Sequence, residues 1–146
     1  MSRKRRPLRK PALPRCVLDS GGLTALVGGS QRAREWLRWV IEHEGSIQVP
    51  TPVLVESTTG DGTRDAEVNR VLGILERVAA VLQAPDEIVA RRAGRLRFLA
   101  GSDDGIDALV AAAAVADGSA AVVLTSDLDD LERLLRREPQ VHVRKV

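Results

Sequence analysis

Ala120-Ala121-Val122-Val123-Leu124-Thr125, followed at once by Ser126-Asp127, is the stretch whose reading decides the fold. An uncharged run this short, with Gly118 before it and a polar pair after it, predicts a strand buried on both faces. Working back, Asp104 opens a helix that passes through Ala111 to Ala114 and stops at Gly118, and Pro85 opens another that runs to about Ala100. Working forward, Asp127 to Arg137 is expected to be helical and Gln140 to Arg144 to form a fifth strand. The first half of the chain repeats the alternation. Cys16 to Asp19 reads as a strand, and Gly21 and Gly22 as the turn into a short helix ending near Gly28 and Gly29. Ser30 caps a helix on which Ala33, Trp36, Leu37, Val40 and Ile41 make one apolar stripe. Ser46 to Pro50 is the second strand; Thr51 then caps a helix with Pro52 in its first position, running through Glu56 toward Gly60. After an acidic and polar loop, Val68, Val71, Leu72 and Leu75 keep helical spacing, and Val78 to Gln83 is the third strand. Strands separated by helices imply crossover connections, so the class expected is α/β: a three-layer α/β/α sandwich with a central parallel sheet.

Composition narrows the function. With 146 residues, 44% hydrophobic and 29% charged, the chain supports one packed core. No apolar run nears the roughly 20 residues that span a bilayer, and the basic amino end lacks an apolar h-region, so a soluble cytoplasmic protein without membrane contact is expected. Cys16 is the only cysteine, and His43 and His142 stand far apart, which leaves no material for a disulfide framework or a zinc site. The net charge of +2 is unevenly spread: seven of the 22 basic residues fall within residues 1–15, with no acid among them, and the remainder holds 15 basic against 20 acidic residues. Residues 1–14, with three prolines, read as a disordered basic tail, either a solvated leader or an arm for nucleic-acid phosphates, and residues 15–146 as the folded domain.

In a parallel sheet of this kind ligands gather at the carboxyl ends of the strands. Asp19 ends the first strand and Asp127 follows the fourth, so both belong on that rim; Glu56 sits in an otherwise apolar helical stretch and Asp107 in the first turn of its helix. Each has a plainer reading. Asp19 could favour a turn, Asp127 could cap a helix with Asp130 at its third position, Asp107 could face the helix dipole, and Glu56 could be an ordinary exposed residue. Together they suggest a shared cation, because crowded carboxylates otherwise force one of their number to take up a proton. All-oxygen ligands select Mg2+ or Mn2+, and the chemistry that follows is phosphodiester hydrolysis by metal-activated water.

In these motifs, Val17-Leu18-Asp19-Ser20, Pro52 to Ser57, Asp107 to Ala113 and Leu124-Thr125-Ser126-Asp127, the chain resembles the PIN-domain family, in particular VapC-type toxins of toxin-antitoxin pairs. The likeness runs from Arg15 to Val146. It implies a metal-dependent endoribonuclease that cleaves structured RNA (tRNA, rRNA or mRNA) with a preference for single strands, a homodimer, and a cognate VapB-like antitoxin that fills the active-site groove. It also implies that Asp19, Glu56, Asp107 and Asp127 form the catalytic, metal-binding quartet, with Ser20, Thr125 and Ser126 in support. Two departures stand out: 18 residues precede the first acid, where the family has only a few, and Gly21 and Gly22 replace bulkier residues, which predicts a looser backbone there. Asp104, Asp129 and Asp130 lie near enough to the motifs to substitute as ligands.

Aromatic residues are 2% of the chain, so RNA recognition is expected to rest on charge and backbone. Arg91, Arg92, Arg95 and Arg97 form the densest basic cluster of the body and read either as a phosphate guide or as a solvated face. Trp39 falls off the stripe of its helix and is a candidate contact for a second subunit or the antitoxin. The alternative from another class is a non-catalytic PIN-like module that binds RNA or a partner. A receiver is disfavoured because the only lysines are Lys4, Lys10 and Lys145, and a haloacid-dehalogenase phosphatase because Asp19 is followed by Ser20-Gly21 and not by x-Asp.

Overall fold

The computed structural model describes residues 13–146, so what was expected of the tail falls, over residues 1–12, outside the described residues. Twelve elements follow in order: β1 (Arg15–Leu18), α1 (Ser20–Val27), α2 (Gln31–Glu42), β2 (Ser46–Pro50), α3 (Val53–Ser57), α4 (Gly62–Val78), β3 (Ala80–Gln83), α5 (Glu87–Ala100), α6 (Gly105–Val115), β4 (Ala121–Thr125), α7 (Asp129–Leu134) and β5 (Val141–Lys145). The strands form one sheet in the order β3-β2-β1-β4-β5, with every neighbouring pair parallel. Helices α1 to α4 pack together on one side and α5 to α7 on the other, giving the three-layer α/β/α sandwich.

All five residues of β4 are buried, and Val17, Leu18, Val123 and Leu124 are fully enclosed at the centre of the core. That is the uninterrupted apolar pattern of a strand covered on both faces. The chain leaves β1 toward β2 and β3 on one side and returns through β4 to β5 on the other. The reversal of strand order therefore lies between β1 and β4, where their carboxyl ends leave a crevice.

Several local expectations need correction. Gly21 and Gly22 are not a turn but the first turn of α1, which begins directly after Asp19. Helix α4 starts within the polar loop: Asp61 accepts hydrogen bonds from the Thr63 and Arg64 amides, while Asp65 accepts from Thr59 and Gly60. Its first turns are exposed, so they carry no apolar period. Val78 closes that helix and is exposed, and β3 begins at Ala80. Pro52 takes the cap position of α3 with no side-chain hydrogen bond from Thr51. Ile41 is on the outer flank of the α2 stripe, 39% exposed. Among the described residues no helix is long and apolar enough to cross a membrane.

Candidate active site

The site is built where α1, α6 and α7 leave the carboxyl rim of the sheet. Asp19 is the N-cap of α1: its backbone is extended (φ −83°, ψ −176°) and its carboxylate accepts the Gly22 amide at 2.6 Å. The two glycines make this geometry possible. A Cβ at Gly21 would overlap Ser126, and one at Gly22 would overlap the Leu124 carbonyl, so α1 presses against the end of β4 only because both side chains are missing. The Asp19 amide donates to the same Leu124 carbonyl at 3.3 Å. The backbone here is thus held close, not loose. Asp19 is 5% exposed, and Ser20, the first helical residue, is half-buried beside it.

Asp104 plays the same capping role for α6, its carboxylate accepting the Asp107 amide at 2.9 Å, which fixes Asp107 in the first turn. Helix α7 starts at Asp129, with Leu131 and Leu134 locked into the core, and this phase turns Asp130 toward the first turn of α6. Carboxylate oxygens of Asp104, Asp107 and Asp130 all lie within 4.8 Å of one another. Burial pushes the Asp107 carboxyl up to about 7, and the neighbouring charges of Asp104, Asp19, Glu56 and Asp130 push it in the same direction. Burial also raises Asp19; hydrogen bonds from Thr125 and the Gly22 amide offset part of that, and Glu56 adds to the rise. The Thr125 hydroxyl carries a single proton, which goes either to Asp19 or to the Asp127 carbonyl at 2.9 Å, while its oxygen accepts the Asp127 amide at 3.1 Å, so it links Asp19 to the backbone of Asp127 and not to that residue's carboxylate.

Of the four acids singled out by sequence, Asp19, Glu56 and Asp107 therefore lie close enough to act on one another, Glu56 from the exposed face of α3. Asp127 stands on the same rim but is exposed, and its carboxylate accepts the Asp129 amide at 3.1 Å. Asp104 and Asp130, named from sequence only as substitutes, are full members of the cluster. The signal for Asp130 was the spacing of Leu131 and Leu134, which sets the face on which it stands. Thr125 is buried at the end of β4, and Ser126 is exposed and packed against Gly21.

An arrangement of acceptor-only oxygens with no His or Cys among them suits a hard divalent cation with oxygen ligands. The pressure that drives Asp107 toward a proton is what such an ion relieves.

No family model and no curated protein matches the sequence. Solved structures do. The chain superposes on a chain of the VapBC2 complex of Rickettsia felis bound to a DNA fragment from its promoter, with TM-score 0.66 and 16% identity over 90% of this chain and 98% of that one. DNA-bound VapBC of Salmonella typhimurium gives TM-score 0.66 and 21% identity over 90% and 97%. FitAcB of Neisseria gonorrhoeae gives 0.61 and 18% over 88% and 95%. The fold is PIN-like, the three-layer α/β/α sandwich shared with a chain of each of these complexes. The acid cluster sits at the carboxyl rim of this PIN fold, beside the crevice between β1 and β4.

Elsewhere on the PIN fold, the arginines of α5 do not act as one group. Arg91 pairs with Glu87 at 2.8 Å on the solvent face, whereas Arg92 donates to the Val115 carbonyl at the end of α6 at 3.2 Å. Trp39 is 45% exposed; its ring meets Trp36 edge-on at 6.2 Å and stacks toward His43 at 4.5 Å.

Proposed function

We propose that this chain is a divalent-metal-dependent endoribonuclease acting as a VapC-like toxin, with RNA as its substrate. One observation carries the reading: carboxylates from α1, α3, α6 and α7 crowd one rim of a PIN fold, and among the influences on Asp107 every one raises its pKa. Among the described residues the one basic side chain at the edge of this cluster is Arg133, at a marginal 4.0 Å from Asp130. Such a rim stores a demand for positive charge that a Mg2+ or Mn2+ ion meets.

Asp107, with Asp104 and Asp130, would hold the ion, Asp19 and Glu56 would complete its surroundings, and Asp127 would act from the edge of the site. When bound, such an ion neutralises phosphoryl oxygens and makes water a better nucleophile. The chain's own residues do the rest. Asp19, fixed by the Gly22 amide and the Thr125 hydroxyl, orients water or an ion on the buried side. Glu56, exposed at the mouth, is free to accept the proton of an attacking water. Ser20 and Ser126 border the acids and offer hydroxyls to a phosphate. In the cytoplasm a toxin of this kind needs restraint, and the VapBC complexes among the neighbours support an antitoxin partner for this chain. Exposed apolar residues such as Trp39, Ile41, Val55 and Phe98 supply surface for that partner or for a homodimer.

The test is cleavage of structured RNA with Mg2+ or Mn2+, comparing wild type with Asp19→Asn and Glu56→Gln. Wild type should cut and both variants should lose at least about 100-fold, the scale of removing one electrostatic stabiliser. Equal cutting by all three sinks the assignment; no cutting by the wild type leaves the non-catalytic binding module.

A further inference from the structure

A groove of about 310 Å3 runs between α5 and α7 on the flank of the domain. Arg92 and Arg95 enter it from α5, Arg133 from α7 and Arg137 from the turn that follows α7, over an apolar floor that includes Leu99. All four arginines are exposed. The one acid on its wall, Glu138, accepts a hydrogen bond from the Gln140 side chain at 2.9 Å and forms no ion pair with these arginines. Among the described residues Arg95 and Arg137 have no acidic partner, and Arg133 has only a marginal one, Asp130 at 4.0 Å.

That last pairing locates the groove. Asp130 belongs to the acid cluster and Arg133 stands one helical turn further along α7, while α5 ends at Ala100, just before Asp104. The basic groove therefore starts where the acidic site stops and runs away from it for about 10 Å, the rise of α5 from Arg92 to Leu99. Guanidinium groups brought together from two helices repel one another unless an anion joins them, and planar donors of this kind suit phosphate oxygens. A solvated basic face needs no concavity and no convergence of two separate segments.

We propose that this groove is the track on which the backbone of single-stranded RNA lies as it enters the acidic site, its phosphates held by Arg95, Arg133 and Arg137. The substrate class rests on the functional reading above, but the binding does not require that the chain cut. A flank of opposite sign helps a polyanion approach a rim of carboxylates, and this groove begins one helical turn from that rim, at Arg133.

Binding of a labelled single-stranded oligoribonucleotide, followed by fluorescence anisotropy in EDTA over a range of salt, tests the proposal without cleavage. Arg95→Glu with Arg137→Glu should weaken binding at physiological salt by at least about tenfold and flatten the slope of log affinity against log salt by roughly 1.4, about 0.7 for each phosphate no longer neutralised. Arg91→Glu, on the same helix but outside the groove, should stay near wild type, and Arg95→Lys with Arg137→Lys should keep most of the slope. Equal losses for Arg91→Glu and the groove variant, or no loss in either, overturn the track. Displacement of the RNA by polyglutamate at matched charge overturns it in favour of an acidic protein partner. Cleavage with Mg2+ separates the two readings. A groove variant that binds and cuts like wild type removes the track and leaves the nuclease, whereas RNA held through the groove by a chain that never cuts removes the nuclease and leaves the track.

Discussion

The two rims of the sheet handle charge in opposite ways. At the amino rim, the Arg15 side chain is only 10% exposed, yet its terminal nitrogens are answered: it pairs with Asp117 at 2.8 Å and donates to the Ala114 carbonyl at 3.1 Å, to Ser119 Oγ at 3.2 Å and to the Ala113 carbonyl at 3.3 Å. Burial on its own would raise the Asp117 carboxyl, but hydrogen bonds from Ser119 and the charge of Arg15 outweigh it and hold the group below its ordinary range. At the carboxyl rim, burial and four neighbouring acids all push Asp107 the other way, up to about 7. A rim whose charges are balanced within the chain holds the fold together; one whose charges are unbalanced is a candidate binding site. The same sheet carries both, and the difference predicts opposite responses to mutation.

The largest effect is expected at the unbalanced rim. Asp107→Asn removes one charge from the crowd, so the metal-free protein should melt higher than wild type, while cleavage of RNA falls by at least about 100-fold. Differential scanning calorimetry in EDTA and a single-turnover cleavage assay read the two quantities. A variant that is both less stable and inactive would mean that Asp107 holds the fold together and that the crowding is not what defines the site.

At the balanced rim the expectation reverses. Arg15→Met keeps the aliphatic stem and removes the charge, leaving the Ala113 and Ala114 carbonyls, Ser119 and Asp117 without their donor. Stability should drop by about 2 kcal/mol, the scale of hydrogen bonds made by a charged group, with cleavage per folded molecule unchanged. Urea denaturation checks the first and the cleavage assay the second. If activity falls while stability holds, the amino rim is part of the function after all.

These two rims were unequally legible in the sequence. The strands, the parallel class and the position of Asp19 followed from short apolar runs between helical patterns, because burial on both faces leaves only one composition that works. Membership of the acid cluster depended on helix phase. Placing the start of the last helix at Asp127 instead of Asp129 turns the face by about 200° at 3.6 residues per turn, and that is enough to exchange Asp127 for Asp130. The glycines misled for a related reason: Gly21 and Gly22 look like a turn, but their missing side chains serve the approach of α1 to β4, which no local pattern reveals. The first turns of α4 were hidden because exposed polar residues carry no period, and only the cap at Asp61 marked them. Only half of the basic groove could be read: Arg92 and Arg95 stood out in the densest basic cluster, but Arg133 and Arg137 join them from about forty residues further along the chain, where spacing along one helix has nothing to say.

The smallest and most discriminating effect is on pH dependence. An ordinary aspartate loses its proton near 3.8, whereas folded Asp107 keeps it to about 7, and Asp19 is raised as well. Between those values the folded chain binds more protons than the unfolded one, so the contribution of the carboxyl rim to stability falls as pH rises through that window and levels off above it. Asp117, with its pKa lowered, works the other way: it stabilises above its ordinary value and loses that contribution on further acidification. In EDTA the melting temperature of wild type should therefore decline from about pH 4.5 to 7, and the decline should be shallower in Asp107→Asn. Adding Mg2+ should reverse it, because an ion favours the ionised acids and so binds better as pH rises. A wild-type melting temperature that climbs through this window in EDTA, or one that Asp107→Asn leaves unaltered, would show that the acids at the carboxyl rim do not feel one another, and the contrast between the rims would be lost.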